Sequence, residues 1–179
     1  MRKVLVLAAA CSVLATAALA QTRPNSQSNP ATTGAAPPAP PAQEFVDKVA
    51  ISDMFEVQAG QLALAKAPDA DTKPFAEKMV TDHQKTSSEL KSLIDGGKVK
   101  AKLPTALDSA HQKMLDDLKA KDGKAFDQAY DQSQVKGHQD AVALFESYAK
   151  GGDDPELKQW AAKTLPHLKE HLSMAQKLK

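Results

Sequence analysis

Apolar residues recur every three or four positions from Phe45 to the end of the chain, and this spacing constrains the fold more than any other feature of the sequence. A period near 3.6 residues places such side chains along one face of a helix. The region contains no sustained alternation of apolar and polar residues, which would indicate strands. The sequence therefore predicts an all-α domain over residues 45–179.

Turn-forming residues divide this periodic region into five predicted helices. Pro68 and Asp69 end the first helix, Gly96 and Gly97 end the second, and Gly123 precedes the fourth. The helices are predicted over Phe45–Ala67, over Thr72–Ile94, from Pro104 onward, around the apolar stripe Phe126–Ala149 and around the stripe Leu157–Ala175. Two long hairpins joined through a short helix predict a four-helix bundle with an additional short crossover helix.

Residues 1–20 match the parts of a secretory signal peptide. Arg2 and Lys3 precede an apolar run, and Ala18–Ala20 supplies the small residues of a cleavage site. The run is marginal for crossing a bilayer, which needs about 20 predominantly apolar residues. An uncleaved anchor and a lipoprotein signal cut before Cys11 are the alternatives. We therefore expect a periplasmic or cell-envelope protein with no transmembrane helix in the mature chain.

Residues 21–44 have a composition unlike that of the rest of the chain. They hold six of the eleven prolines and neither an aromatic nor a β-branched aliphatic residue. Such a segment cannot bury enough apolar surface to offset its ordering entropy. It is predicted to be a disordered, Pro-rich tether, which leaves residues 45–179 as the helical bundle domain.

Charge and cysteine content exclude several functions. The chain has 23 Lys plus Arg against 22 Asp plus Glu, so it lacks the excess of positive charge that binds a phosphate backbone. We therefore expect no nucleic-acid partner. A single Cys excludes a disulfide framework and a Cys-based zinc site within the chain. The sequence also contains no motif for nucleotide use, acyl transfer or protease chemistry, so we expect a protein that is not an enzyme.

Polar residues interrupt the apolar stripes at a few positions that should point inward. His83, His138 and His171 each lie among apolar residues three, four or seven positions away, and Glu56 lies on the inner face of the first predicted helix. His167 lies one turn before His171, at the edge of its stripe. A lone buried carboxylate is costly without a partner. These five residues are the candidate site.

Helical rise places four of the five candidates at a similar height in the bundle. Glu56 and His83 lie about 19 and 22 Å from the turn at Pro68, and His138 and His167 lie about 21 to 23 Å from the turn at Gly152. One carboxylate and several imidazoles in one layer form a donor set for a divalent transition metal such as Zn, Fe, Cu or Mn.

A polar core without a metal is the simpler interpretation of the same residues. The imidazoles would then be satisfied by hydrogen bonds to Glu56, Asp82, Tyr130 or one another. Asp53 and Asp82 flank Glu56 and His83 along their helices. Both interpretations remain open at this point.

Four segments together resemble the exported bacterial domain-of-unknown-function family 4142, often labelled predicted outer membrane protein. They are, in chain order, FVDKVAISDMFEVQAGQLALA, PFAEKMVTDHQKTSSEL, SQVKGHQDAVALF and TLPHLKEHLSMA. The resemblance implies a ferritin-like four-helix bundle and no established activity. The di-iron members of the wider ferritin-like class carry a Glu three residues before a ligating His, whereas Val80, Val135 and Leu168 occupy those positions here. A ferroxidase-type di-iron centre is therefore not expected.

The sequence favours an exported, non-catalytic envelope protein that binds or organises an unknown envelope partner. The signal peptide, the tether and the missing catalytic motifs support this function. The alternative is a metal-binding protein with redox or metal-handling activity, supported by Glu56, His83, His138, His167 and His171.

Overall fold

The computed structural model describes residues 38–178, so the predicted signal peptide and most of the predicted tether lie outside the described residues. Within this part of the chain the structure has five α-helices and no strand. The helices are α1 (Ala42–Lys66), α2 (Thr72–Asp95), α3 (Ser109–Lys119), α4 (Gly123–Gly151) and α5 (Pro155–Ala175). None of these five helices is long and apolar enough to cross a membrane. The all-α prediction is confirmed.

The four long helices form two antiparallel hairpins, α1–α2 and α4–α5, which pack side by side. Phe45 at the start of α1 stacks on Tyr148 near the end of α4, so these two helices are antiparallel. At the opposite end of the bundle, Lys66 of α1 pairs with Asp122, which directly precedes α4. The chain must therefore cross the length of the bundle between α2 and α4, and α3 lies in this crossover against α1. One long crossover is the connectivity of ferritin-like bundles.

The third helix begins later than predicted. Pro104 was expected to open it, but the chain turns until Asp108 and the helix starts at Ser109. The Asp108 carboxylate accepts a hydrogen bond from the backbone N–H of His111, which satisfies a free donor at the helix start. This cap fixes the helix start, so the prediction of a start at Pro104 was wrong.

The first helix begins at Ala42, three residues before the predicted Phe45. Pro41 directly precedes it, and the backbone N–H of Phe45 bonds to the Pro41 carbonyl. Residues 42–44 therefore belong to the helix, whereas the predicted tether extended to residue 44.

Two apolar clusters fill the bundle, one toward each end, and a polar layer separates them. The cluster near the start of α1 contains Phe45, Val49, Leu90, Phe145, Tyr148, Leu157 and Trp160. The cluster near the end of α1 contains Phe55, Ala63, Phe75, Met79, Leu118, Phe126 and Tyr130. The buried side chains between them are Asp53, Glu56, His83, Gln134, His138 and His171. This layer contains the candidate functional groups of the bundle.

Candidate metal centre

Three imidazoles from three different helices meet in the polar layer. His83 of α2, His138 of α4 and His171 of α5 are 4%, 1% and 2% exposed. Their ring centroids are 5.3 to 5.6 Å apart. One ring nitrogen of each lies within 4.8 Å of one ring nitrogen of each of the others. We call this group the histidine trio.

Carboxylates hold two of the three rings in place. The Nδ1 atom of His83 lies 2.7 Å from Oδ1 of Asp53, and the hydroxyl of Ser87 donates to the other oxygen of Asp53. The Nε2 atom of His171 lies 2.8 Å from Oδ2 of Asp82. A carboxylate that accepts one N–H of an imidazole fixes the ring and leaves a lone pair on the other nitrogen.

The backbone holds the third ring. The Nδ1 atom of His138 lies 2.9 Å from the carbonyl oxygen of Gln134, one helical turn earlier. A carbonyl oxygen can only accept a hydrogen bond, so Nδ1 of His138 carries the proton and Nε2 carries the lone pair. The backbone of α4 therefore dictates the tautomer of this ring.

The second nitrogen of every ring is buried without a hydrogen-bond partner among the described residues. These atoms are Nε2 of His83, Nε2 of His138 and Nδ1 of His171. Leaving one buried polar atom unsatisfied costs about 1 to 3 kcal/mol. A single water molecule has only two protons to donate, so it cannot satisfy three acceptors. One cation accepts all three lone pairs at once.

Burial keeps two of the rings neutral near pH 7. Burial lowers the pKa of His171 to about 4. The rings of His83 and His138 act in the same direction, and Asp82 partly offsets the shift. Burial also lowers the pKa of His138. A neutral imidazole is the form that binds metal.

The pKa of His83 moves in the opposite direction. Burial alone would lower it, but the hydrogen bond and the charge of Asp53, together with the charges of Glu56 and Asp82, raise it above its ordinary value. The carboxyl group of Asp53 is itself buried, and its pKa is raised by that burial. The Asp53–His83 pair therefore tends to retain a proton, which a cation bound to His83 would displace.

Two of the five predicted site residues lie outside the histidine trio. Glu56 is buried, but its carboxylate accepts a hydrogen bond of 2.7 Å from the side-chain amide of Gln134. His167 is exposed on the surface of α5, because the edge of the apolar stripe turns away from the core there. The structure therefore brings together three of the five predicted residues, and the metal itself stays a prediction.

The sequence did not identify Gln134 as part of the layer, although it is fully buried. It lies four residues before His138 on the same face of α4, and that spacing was the available signal. Asp82 was expected among the hydrogen-bond partners of the imidazoles, and the structure pairs it with His171 across the helix interface instead of with its neighbour His83.

The arrangement fits a first-row transition metal. Ligand nitrogens about 2.1 Å from zinc stand about 3.4 Å apart in a tetrahedral site. The trio nitrogens lie within 4.8 Å of one another, so shifts of about 1 Å bring them into coordination range. Imidazole donors without a thiolate suit Zn and Cu, and hydrogen-bonded second nitrogens are the usual support for metal-bound imidazoles.

The fold and the site define a class: a ferritin-like four-helix bundle with a candidate tri-histidine metal centre between two apolar cores. Within that class, the chain belongs to the family described as "Domain of unknown function (DUF4142)", which matches residues 27–178. A search of curated proteins finds no match.

Solved structures with this fold include "CopM in the Cu(II)-bound form", with a TM-score of 0.64 and 18% identity, which covers 78% of this chain and 95% of that chain. "CopM in the Cu(I)-bound form" aligns with a TM-score of 0.62 and 17% identity over 76% of this chain and 94% of that chain. A DUF305 fragment from Deinococcus radiodurans aligns with a TM-score of 0.64 and 13% identity over 78% of this chain and 96% of that chain. At these identities the likeness is one of fold.

Proposed function

We propose that this chain is an exported, non-catalytic metal-binding protein of the cell envelope, in which His83, His138 and His171 hold one transition-metal ion. The observation that carries the proposal is the set of three buried imidazoles, each with one nitrogen that has no hydrogen-bond partner among the described residues. One nitrogen of each ring also lies within 4.8 Å of one nitrogen of each of the others. A polar core without metal would leave these three buried ring nitrogens without a partner.

Copper is the first candidate ion and zinc is the second. Nitrogen donors bind Cu(II) more tightly than the other divalent first-row metals. The similar fold of CopM, known in Cu(II)-bound and Cu(I)-bound forms, supports the same choice. Three protein ligands leave a coordination position for a further ligand, which suits a protein that takes up and releases its ion.

The proposed location in the cell envelope rests on residues 1–20, which have the charged, apolar and small-residue parts of a signal peptide. Mass spectrometry of the exported protein checks it, since a chain that begins at Gln21 is expected and an acylated Cys11 would indicate a lipoprotein.

Metal content tests the binding function directly. The protein is purified from the periplasm, its metals are measured by elemental analysis, and the metal-free form is titrated with Cu(II) and Zn(II). We expect a stoichiometry near one that is lost in His83→Gln, His138→Gln and His171→Gln. His167→Gln is the matched control, because His167 is an exposed histidine on the same helix as His171.

The proposal is wrong if the wild type and His138→Gln show the same metal content and the same titration. The histidine trio would then be a polar core. Circular dichroism of each variant establishes that loss of metal does not reflect loss of the fold.

A further inference from the structure

Two clefts reach the histidine trio from the surface, one on each side of His83. The larger has a volume of about 780 Å³ and lies between α1 and α4, with α3 at its edge. The smaller has a volume of about 80 Å³ and lies between α2 and α5. His83, Thr86 and Leu168 line both clefts and therefore separate them.

The charges along the two clefts differ. The α1–α4 cleft is lined by five carboxylates, those of Glu44, Asp47, Asp53, Asp108 and Asp140, and by two lysines. The α2–α5 cleft is lined by two carboxylates and two lysines. A cleft with one predominant sign of charge concentrates counter-ions and speeds their arrival. Only the larger cleft has this property for cations.

Exposure decreases from the edge of the α1–α4 cleft to its floor. Met114 is 37% exposed and the side chain of His111 is 31% exposed, whereas Asp53 and His83 on the floor are 3% and 4% exposed. The edge on α3 is therefore one part of the mouth of the cleft, and exposed lining residues of α1 and α4 form the rest.

The two α3 residues at the mouth are metal ligands by type. His111 and Met114 are three residues apart, so they lie on the same face of α3. Asp108 engages Nδ1 of His111, which leaves Nε2 as the available donor. A methionine that serves only as core filling is buried, as Met79 is, but Met114 is among the exposed large apolar residues. Imidazole with thioether is a soft donor pair that suits Cu(I).

We propose that the α1–α4 cleft is the route by which the metal reaches the histidine trio, and that His111 and Met114 at its mouth form a transient first site for Cu(I). This inference rests on the proposed function, because the trio is the destination of the ion. The trio nitrogens are buried, so the last step requires a side-chain movement at the cleft floor. The two-ligand mouth site binds the ion more weakly than the trio and therefore affects rate more than final occupancy.

Loading kinetics test the route in the full-length protein. Metal-free protein is mixed by stopped flow with Cu(I) held in its bicinchoninate complex, and separately with Co(II), whose visible spectrum reports coordination. We expect His111→Gln to slow loading of both ions by about tenfold. Met114→Leu should slow loading of Cu(I) by about tenfold and leave loading of Co(II) unchanged. Final occupancy should be the same as in the wild type for both variants. Raising the ionic strength should slow loading of the wild type by Co(II), which arrives as a free cation.

Three further variants complete the experiment. His167→Gln removes the histidine of the α2–α5 cleft and Met174→Leu removes a methionine outside both clefts, so neither should slow loading. Ala141→Phe places a ring in the α1–α4 cleft and should slow both ions. The route is overturned if His111→Gln, Met114→Leu and Ala141→Phe load as fast as the wild type, or if His167→Gln is the variant that loads slowly. Wild type that binds neither ion at equilibrium would instead overturn the proposed function, and the route with it.

Discussion

Each ring of the histidine trio has one nitrogen engaged by the protein and one buried nitrogen without a partner among the described residues. For His171 the engaged nitrogen bonds to Asp82, whose pKa is lowered because Lys78 and His171 together outweigh its partial burial. The carboxylate therefore stays ionised at neutral pH and keeps the proton on Nε2 of His171. This fixes the ring orientation before any metal arrives, and such preorganisation contributes to affinity.

Replacement of Asp82 by Asn should weaken metal binding while the three ligands remain. The amide is a poorer acceptor for the N–H of His171 and lacks the negative charge, so we expect affinity to fall by about tenfold. A competition titration with a chromophoric chelator measures the change. Asp117→Asn, an exposed carboxylate paired with Lys113 on α3, should leave affinity unchanged. Equal affinities for wild type and Asp82→Asn would contradict the positioning role.

Asp131 lies outside the candidate metal centre, and its ionisation lowers the free energy of unfolding in a pH-dependent way. Its partial burial, with the nearby charges of Asp127 and Asp69, raises its pKa from 3.8 to about 6. The folded protein therefore binds this proton more tightly than the unfolded chain, so ionisation of Asp131 above about pH 6 destabilises the fold. This cost is absent below pH 3.8.

Asp131→Asn should accordingly raise the free energy of unfolding at pH 7.5, by about 1 kcal/mol once solvent screening is allowed for. The gain should disappear as the pH falls from 6 toward 4, and urea denaturation across this range measures it. Asp116→Asn is the control, because a hydrogen bond from Lys119 lowers the pKa of Asp116 and its removal should bring no gain. A gain independent of pH would show that ionisation of Asp131 is not its cause.

At the scale of residues, the sequence predicted which side chains point inward but not which atoms meet. Helical phase was enough to place His83, His138 and His171 in the core, since each lies within a long apolar stripe. It could not show that Asp82 reaches His171 on α5, because that contact depends on how α2 and α5 are rotated against each other. It placed His167 at the edge of its stripe but could not show that this side chain is exposed, because a small rotation decides burial there.

At the scale of elements, the α1–α2 hairpin depends on a close approach of its two helices. A Cβ atom at Gly60 would lie 2.7 Å from Cγ2 of Val80 and 3.1 Å from the backbone oxygen of Ala76. The backbone of α2 therefore packs directly against Gly60, and no larger residue fits without movement.

Gly60→Ala should destabilise the protein by about 1 to 3 kcal/mol through overpacking, despite the better helix propensity of Ala. Gly151→Ala is a matched helical substitution whose Cβ would lie 3.6 Å from the Cβ of Ala39, an ordinary contact. It should stabilise by about 0.4 to 1 kcal/mol through reduced freedom of the unfolded chain. Urea denaturation measures the change in the free energy of unfolding for both variants. Changes of the same sign would contradict the packing argument.

Helix interiors were easier to predict from sequence than helix ends. The long stripes of α1, α2, α4 and α5 contain enough repeats for the period to be unambiguous. The start of α3 depended on a single side chain, since Asp108 caps the helix and Pro104 does not. Proline at a helix start and aspartate at a helix cap are both favourable signals, and local sequence does not decide between them.

At the scale of the whole molecule, a polar layer divides two apolar cores. Such a layer adds less stability than apolar packing would, because buried polar groups must first be desolvated. The sequence predicted that the histidines share a height in the bundle, but the order of the helices around the core had to come from the structure. If metal binding is the reason for the layer, part of it should be replaceable at no cost to the metal-free fold.

His138→Leu tests this relation between stability and binding. The substitution removes the unpartnered Nε2 and strands no side chain, since the carbonyl of Gln134 that accepts from Nδ1 is a backbone group within α4. We expect the metal-free variant to be as stable as the wild type or more stable by about 1 kcal/mol. By contrast, His83→Leu leaves the buried Asp53 without its imidazole partner, and we expect a loss of about 3 kcal/mol.

Added metal should reverse the order of stability of the wild type and His138→Leu. At a free Cu(II) concentration about 100 times the dissociation constant, the wild type gains about 2.7 kcal/mol and should become the more stable protein. The variant lacks a ligand and should gain little, so its melting temperature should not depend on Cu(II). Differential scanning calorimetry with and without Cu(II) measures both quantities. A metal-free His138→Leu that is several kcal/mol less stable than the wild type would mean that the layer stabilises the fold by itself, and the argument from unsatisfied nitrogens would then be wrong.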